Sequence, residues 1–199
     1  MRILLLSFIV LFSLCCQPTL IIPDARKDEI LTNALNPITD KYELSKLRES
    51  YFSGDDFEVR VWVEGFEIDG FILRRFNKTW LAIAIKELDC KRFSHYPKDK
   101  IYKLGKVNLS TPKSGWKNTW QKLVEAGILD LPNSDDVSYI DGMGYIVETN
   151  LNGKYRIYFY SNPNLQKTEE AERLMKIGEI IADEFGLDNF KVGSLCVEK

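Results

Sequence analysis

The dipeptide Asn152-Gly153 stands between two stretches in which apolar or aromatic residues alternate with polar ones, Tyr145 to Leu151 and Lys154 to Ser161. Asn-Gly in such a setting is the strongest short-range signal for a β-hairpin, because both turn residues need positive φ and these two adopt it at little cost. A two-residue loop leaves the register no freedom. It sets Leu151 opposite Lys154, Thr149 opposite Arg156, Val147 opposite Tyr158 and Tyr145 opposite Tyr160. Strand side chains alternate between faces. One face therefore carries Tyr145, Val147, Thr149, Arg156, Tyr158 and Tyr160, and the other Ile146, Glu148, Asn150, Tyr155, Ile157 and Phe159. Three tyrosines around an arginine offer rigid area and hydroxyls, so Tyr145, Arg156, Tyr158 and Tyr160 are a candidate binding face. The expected alternative is that a helix covers this face and its hydroxyls bond at the rim.

The same period of two begins at Phe57. Phe57, Val59, Val61 and Val63 alternate with Glu58, Arg60, Trp62 and Glu64, which reads as a half-buried strand. Further strands are expected from Phe66 to Phe76 and from Trp80 to Glu87, joined by a tight turn at Asn77-Lys78, and another within Ile101 to Leu109. Helical spacing appears twice. Trp116, Trp120, Leu123 and Val124 define a helix from Gly115 to Ala126, with Ser114 as its cap and Gly127 at its stop. Ala171, Leu174, Ile177, Ile181 and Phe185 define a second, opened by Thr168, with acids in its first turn and Gly186 at its end. A last strand is expected over Phe190 to Val197. Strands followed by helices argue an α+β domain: an antiparallel sheet, meander plus hairpin, with helices packed on one side.

The chain divides into three parts. Residues 1–16 hold one basic residue, Arg2, and an apolar run of about a dozen from Ile3 to Leu14, then Cys15 and Cys16. That is an export signal, too short for a lasting bilayer span. A cysteine at its end is the acceptor type for a lipid anchor, so Cys15 and Cys16 are the candidate lipidation sites. Cleavage nearby, leaving a soluble periplasmic or secreted protein, is the alternative. Residues 17–56 read as a tether and two short helices, Asp24 to Ala34 and Thr39 to Ser50, split by Asn36-Pro37. Ile30, Leu31 and Ala34, then Tyr42, Leu44 and Leu47, form their apolar stripes. Residues 57–199 form the single α+β domain.

Charge and cysteines narrow the chemistry. With 27 basic against 29 acidic residues the net charge is −2, too balanced for a nucleic-acid partner or a polybasic membrane patch. Cys90 and Cys196 remain after the signal, and in an oxidising compartment a disulfide between them is the leading expectation, with two buried thiols as the alternative. Two cysteines and the single His95 do not make a four-ligand zinc site. No metal or other cofactor is expected.

Several further groups carry weaker signals. Asp135, Asp136 and Asp141 crowd one loop, but their spacing fits no EF-hand. His95 lies beside Ser94 without a nucleophile motif. Trp116 and Trp120 could present a sugar-stacking platform, although a core stripe is the simpler expectation.

Several stretches resemble a family of predicted bacterial envelope lipoproteins of the Bacteroidetes type. They are Phe57-Glu58-Val59-Arg60-Val61-Trp62-Val63, Pro112-Lys113-Ser114-Gly115-Trp116, Gly127-Ile128-Leu129-Asp130-Leu131-Pro132, Asp141-Gly142 followed by Tyr145, Gly153 to Pro163, and Asp183-Glu184-Phe185-Gly186. The resemblance implies an exported single domain and brings no catalytic residues. The expectation is a membrane-anchored envelope protein with a non-catalytic binding or structural role and a protein or glycan partner. The alternatives are an envelope hydrolase using His95 with Asp89, Asp99 or a nearby acid, and an inhibitor or immunity-type protein.

Overall fold

The computed structural model describes residues 25–64, 68–86, 105–133 and 143–187. Six strands form one antiparallel sheet: β1 (Phe57–Glu64), β2 (Ile68–Phe76), β3 (Thr79–Lys86), β4 (Gly105–Asn108), β5 (Gly144–Leu151) and β6 (Lys154–Ser161), in the order β4-β3-β2-β1-β5-β6. The meander β1–β4 runs outward on one side of β1, and the β5–β6 hairpin docks on its other side. Both tight turns have the geometry their residues favour. Asn77 and Lys78 have φ of 49° and 65°, and Asn152 and Gly153 have 54° and 72°. These positive values suit the hairpin turn that matches strand twist. The β5–β6 register sets Leu151, Thr149, Val147 and Tyr145 against Lys154, Arg156, Tyr158 and Tyr160, as the sequence requires.

The helices are α1 (Ala25–Lys41), α2 (Trp116–Glu125) and α3 (Glu169–Phe185). The α+β class and antiparallel sheet are as expected, but the helices occupy both sides of the sheet. α2 and α3 cover the face carrying Phe57, Val59, Val61, Phe71, Leu73, Ala82, Ala84, Tyr145, Val147, Tyr158 and Tyr160. α1 and a single 3-10 turn at Leu47–Glu49 cover the other, carrying Trp62, Ile72, Ile83, Ile85, Ile146, Tyr155 and Ile157. β1 is thus buried on both sides, and Glu58, Arg60 and Trp62 lie inside the molecule.

α1 is one helix where the sequence suggests a break at Asn36-Pro37. Leu35 and Ile38, on either side of that dipeptide, are both buried against the sheet, and this anchorage outweighs the lost hydrogen bond of Pro37. The stripe that meets the sheet is Leu31, Leu35 and Ile38, while Ile30 is 63% exposed. Thr168 caps α3 by accepting from Ala171 N, and Gly186 ends it. Ser114 does not cap α2. Its hydroxyl donates instead to the Glu184 carboxylate at 2.8 Å, and its backbone N–H donates to the same group. Glu184 also receives Lys122 Nζ from the last turn of α2 at 2.6 Å, so the end of α3 ties both that helix and the Ser114 segment leading into it. Burial pushes this carboxyl up, but Lys122 and the two Ser114 donors outweigh it and hold the pKa at about 2.

Among the described residues no helix is long and apolar enough to cross a membrane. Cys15, Cys16, Cys90, Cys196, His95, Asp89, Asp99, Asp135, Asp136, Asp141 and the expected strand from Phe190 to Val197 lie outside the described residues.

Candidate functional site

The face carrying Tyr145, Arg156, Tyr158 and Tyr160 is not a surface. The three tyrosines are at most 2% exposed. Tyr158 and Tyr160 donate to the carbonyls of Ile128 and Pro132, at 3.0 and 2.8 Å. Arg156 reaches the carbonyls of Leu129 and Leu131. The face therefore pins down the segment that follows α2, supplying donors to its carbonyls, those of the buried Ile128 and Leu131 among them. Burial raises the hydroxyl pKa of Tyr145 and Tyr160 to about 12. Trp116 and Trp120 belong to the same core. Trp120 stacks on Phe57 at 4.0 Å, and Trp116 on Trp80 at 5.9 Å.

The unusual chemistry lies on the opposite face. Strand pairing sets Glu58 beside Arg74 and Asn150, and Arg60 beside Glu148. All these side chains except Arg74 are fully or almost fully buried. Arg60 Nε donates to Glu58 Oε1 at 2.7 Å and Nη2 to the Ser45 carbonyl at 2.7 Å. Arg74 closes on the second Glu58 oxygen. Glu58 thus has two guanidinium groups at contact distance. Glu148 has no such close cation. Arg60 Nη1 is 4.0 Å from its Oε2 and, among the described residues, has no hydrogen-bond acceptor. Neutral donors serve Glu148 instead: Trp62 Nε1 at 2.9 Å and the Tyr155 hydroxyl at 3.0 Å. Burial raises the Glu148 pKa above the ordinary carboxyl value; Arg60 and the two donors pull it back, and Glu58 adds to the rise. The Tyr155 hydroxyl is also raised, chiefly by burial and then by the Glu148 charge, with Asp28 contributing.

Buried ion pairs seldom repay their desolvation, and well-packed apolar residues of similar volume often serve stability as well. Buried titratable groups with displaced pKa values mark candidate sites, above all where a cleft reaches them. Here one does. A recess of about 170 Å³ lies between α1 and the Leu47–Glu49 turn, with Glu148 and Tyr155 among its lining residues. Thr32, Leu35, Asn36 and Thr39 line it from α1, and Lys46, Leu47, Arg48 and Glu49 from the turn. Asn150 holds the turn in place, its amide donating to the Leu47 and Ser50 carbonyls at 2.8 Å each.

The sequence hid this site because Glu58 and Arg60 alternate with valines, as solvent-facing residues do. The signal that exposes it is apolar residues on both faces of the neighbouring strands: Ile72 with Phe71 and Leu73, and Ile83 and Ile85 with Ala82 and Ala84. Sheets with one wet face do not look like this. Among the described residues, no group of three His, Cys, Asp or Glu side chains is placed to hold a metal ion. No protein-family model and no curated protein matches this chain.

Proposed function

We propose that this chain is an exported protein of the bacterial cell envelope, held at the membrane by a lipid on Cys15 or Cys16, and that its role is non-catalytic binding. The apolar run ending at Cys15-Cys16 supports the address. The recess over Glu148 supports binding, and it carries this reading. Each oxygen of that carboxyl already accepts from a fixed donor, Trp62 or Tyr155. The group is therefore held still as a recognition element within a polar, concave site.

Membrane fractionation tests the address. Changing both Cys15 and Cys16 to serine is expected to move the protein out of the membrane fraction or leave it as uncleaved precursor. Normal processing with unchanged partitioning would rule the anchor out. A pull-down from native envelope with the anchor intact would then identify a protein or glycan partner. The expected disulfide between Cys90 and Cys196 belongs to the same address. Non-reduced protein should titrate with no free thiol in the mature domain, residues 57–199, and two reactive thiols there would end that idea.

A further inference from the structure

The distribution of charge around the recess specifies what it accepts. Its inner residues accept hydrogen bonds. Glu148 is almost fully buried there, and each of its oxygens has taken one donor and keeps capacity for another. Thr32 donates its hydroxyl to the Asp28 carbonyl at 2.7 Å, and Thr39 donates to the Asn36 carbonyl at 2.9 Å. Each hydroxyl oxygen therefore retains lone pairs. Thr32 and Thr39 stand seven residues apart on α1, about 10 Å along its axis, so they line different parts of the recess. The open lone pairs of the buried Glu148 carboxyl are what suit an ammonium.

The rim has the opposite sign. Arg48 and Lys46 both line it. Lys46 is matched by Glu49 at 3.7 Å. Arg48 lies over the Tyr155 ring, 6.0 Å from its centroid, and among the described residues no carboxylate pairs with it. A simple cation would be repelled at this rim, and a simple anion by Glu148. A molecule with both charges meets both demands. Leu35 and Leu47 add an apolar wall. A volume of about 170 Å³ is severalfold the ~30 Å³ share of one water molecule, which admits a small solute.

We propose that the recess between α1 and the Leu47–Glu49 turn binds a small zwitterion of the α-amino-acid type, with its ammonium inward on Glu148 and its carboxylate outward on Arg48. The proposal rests on the reading of this recess as a binding site and names the ligand's chemistry.

Calorimetric titration of the detergent-solubilised full chain tests it, near neutral pH. The probes are glycine, L-alanine and L-serine, with alanine methyl ester lacking the anion and N-acetylalanine lacking the cation. Saturable binding of at least one free amino acid is expected. The two blocked alanines should bind about tenfold or more weaker than L-alanine, as loss of one charge-assisted hydrogen bond implies. Glu148→Gln and Arg48→Ala should each weaken the free amino acid by a similar factor. Arg48 is exposed, so its variant keeps the fold even if the buried substitution does not. Heats that fail to saturate for all three amino acids would overturn the proposal. So would equal binding of the methyl ester together with a silent Arg48→Ala. Loss of the anchor in fractionation leaves this titration unchanged, and a flat titration leaves the anchor standing. Turnover of an envelope substrate by the solubilised chain would count against non-catalytic binding alone.

Discussion

Two buried glutamates respond to acid in opposite directions. Glu184 has its pKa lowered from 4.5 to about 2. The folded state therefore holds its proton less tightly than the unfolded chain does. Its stabilising contribution is complete above 4.5 and disappears as pH falls through about 2. Glu148 has its pKa raised above 4.5, so its contribution is complete below that value and is lost as pH rises through the folded pKa. Denaturant titrations across pH should separate them. Glu184→Gln is expected to flatten the acid limb, and Glu148→Gln to flatten the decline above 4.5. An unchanged acid limb in Glu184→Gln would show that other groups set it. Tyr158 gives a simpler test. Tyr158→Phe removes the donor to the buried Ile128 carbonyl and should cost about 1–3 kcal/mol. Tyr158→Ala should cost about 3–5 kcal/mol through the cavity it leaves. A loss below about 1 kcal/mol for the alanine variant would mean that this side chain is not part of the core.

Between strands, one glycine is a fitted part. Gly70 stands directly across from Trp62, and a Cβ there would lie 2.4 Å from the indole. The bare backbone lets the ring lie flat on β2 with Nε1 on Glu148. Gly70→Ala should therefore cost roughly 1–3 kcal/mol through overpacking and change Trp62 fluorescence. A variant of native stability and spectrum would show that the ring has room to move. At this scale much was legible in the sequence. The strands over Phe57–Glu64, Gly144–Leu151 and Lys154–Ser161, both tight turns and both later helices follow from period and turn chemistry. α1 was not, since Pro37 argues for a break and only its packing partners overrule that argument. The site was the least legible part. Glu58, Arg60 and Glu148 look like surface residues until α1 and the Leu47–Glu49 turn are known to cover that face.

For the molecule as a whole, α1 and the Leu47–Glu49 turn act as a cover over half of the core. Deleting residues 25–52 would bare Trp62, Ile72, Ile83, Ile146 and Ile157 together, an apolar patch of the kind that drives aggregation. The truncated chain is expected to be insoluble, and a soluble monomer with native circular dichroism would contradict the arrangement. The central place of β1 has a consequence for how the chain assembles. β1 finds β2 at once through a short connection, but Phe57 waits for Leu151, roughly ninety residues later, to fill its other side. Until then a half-built sheet exposes a row of unsatisfied amides and carbonyls, open to the same strand of a neighbouring chain. Refolding yield should therefore fall steeply with protein concentration, and adding an excess of a peptide spanning 144–161 during refolding should catch the incomplete sheet before a second chain does.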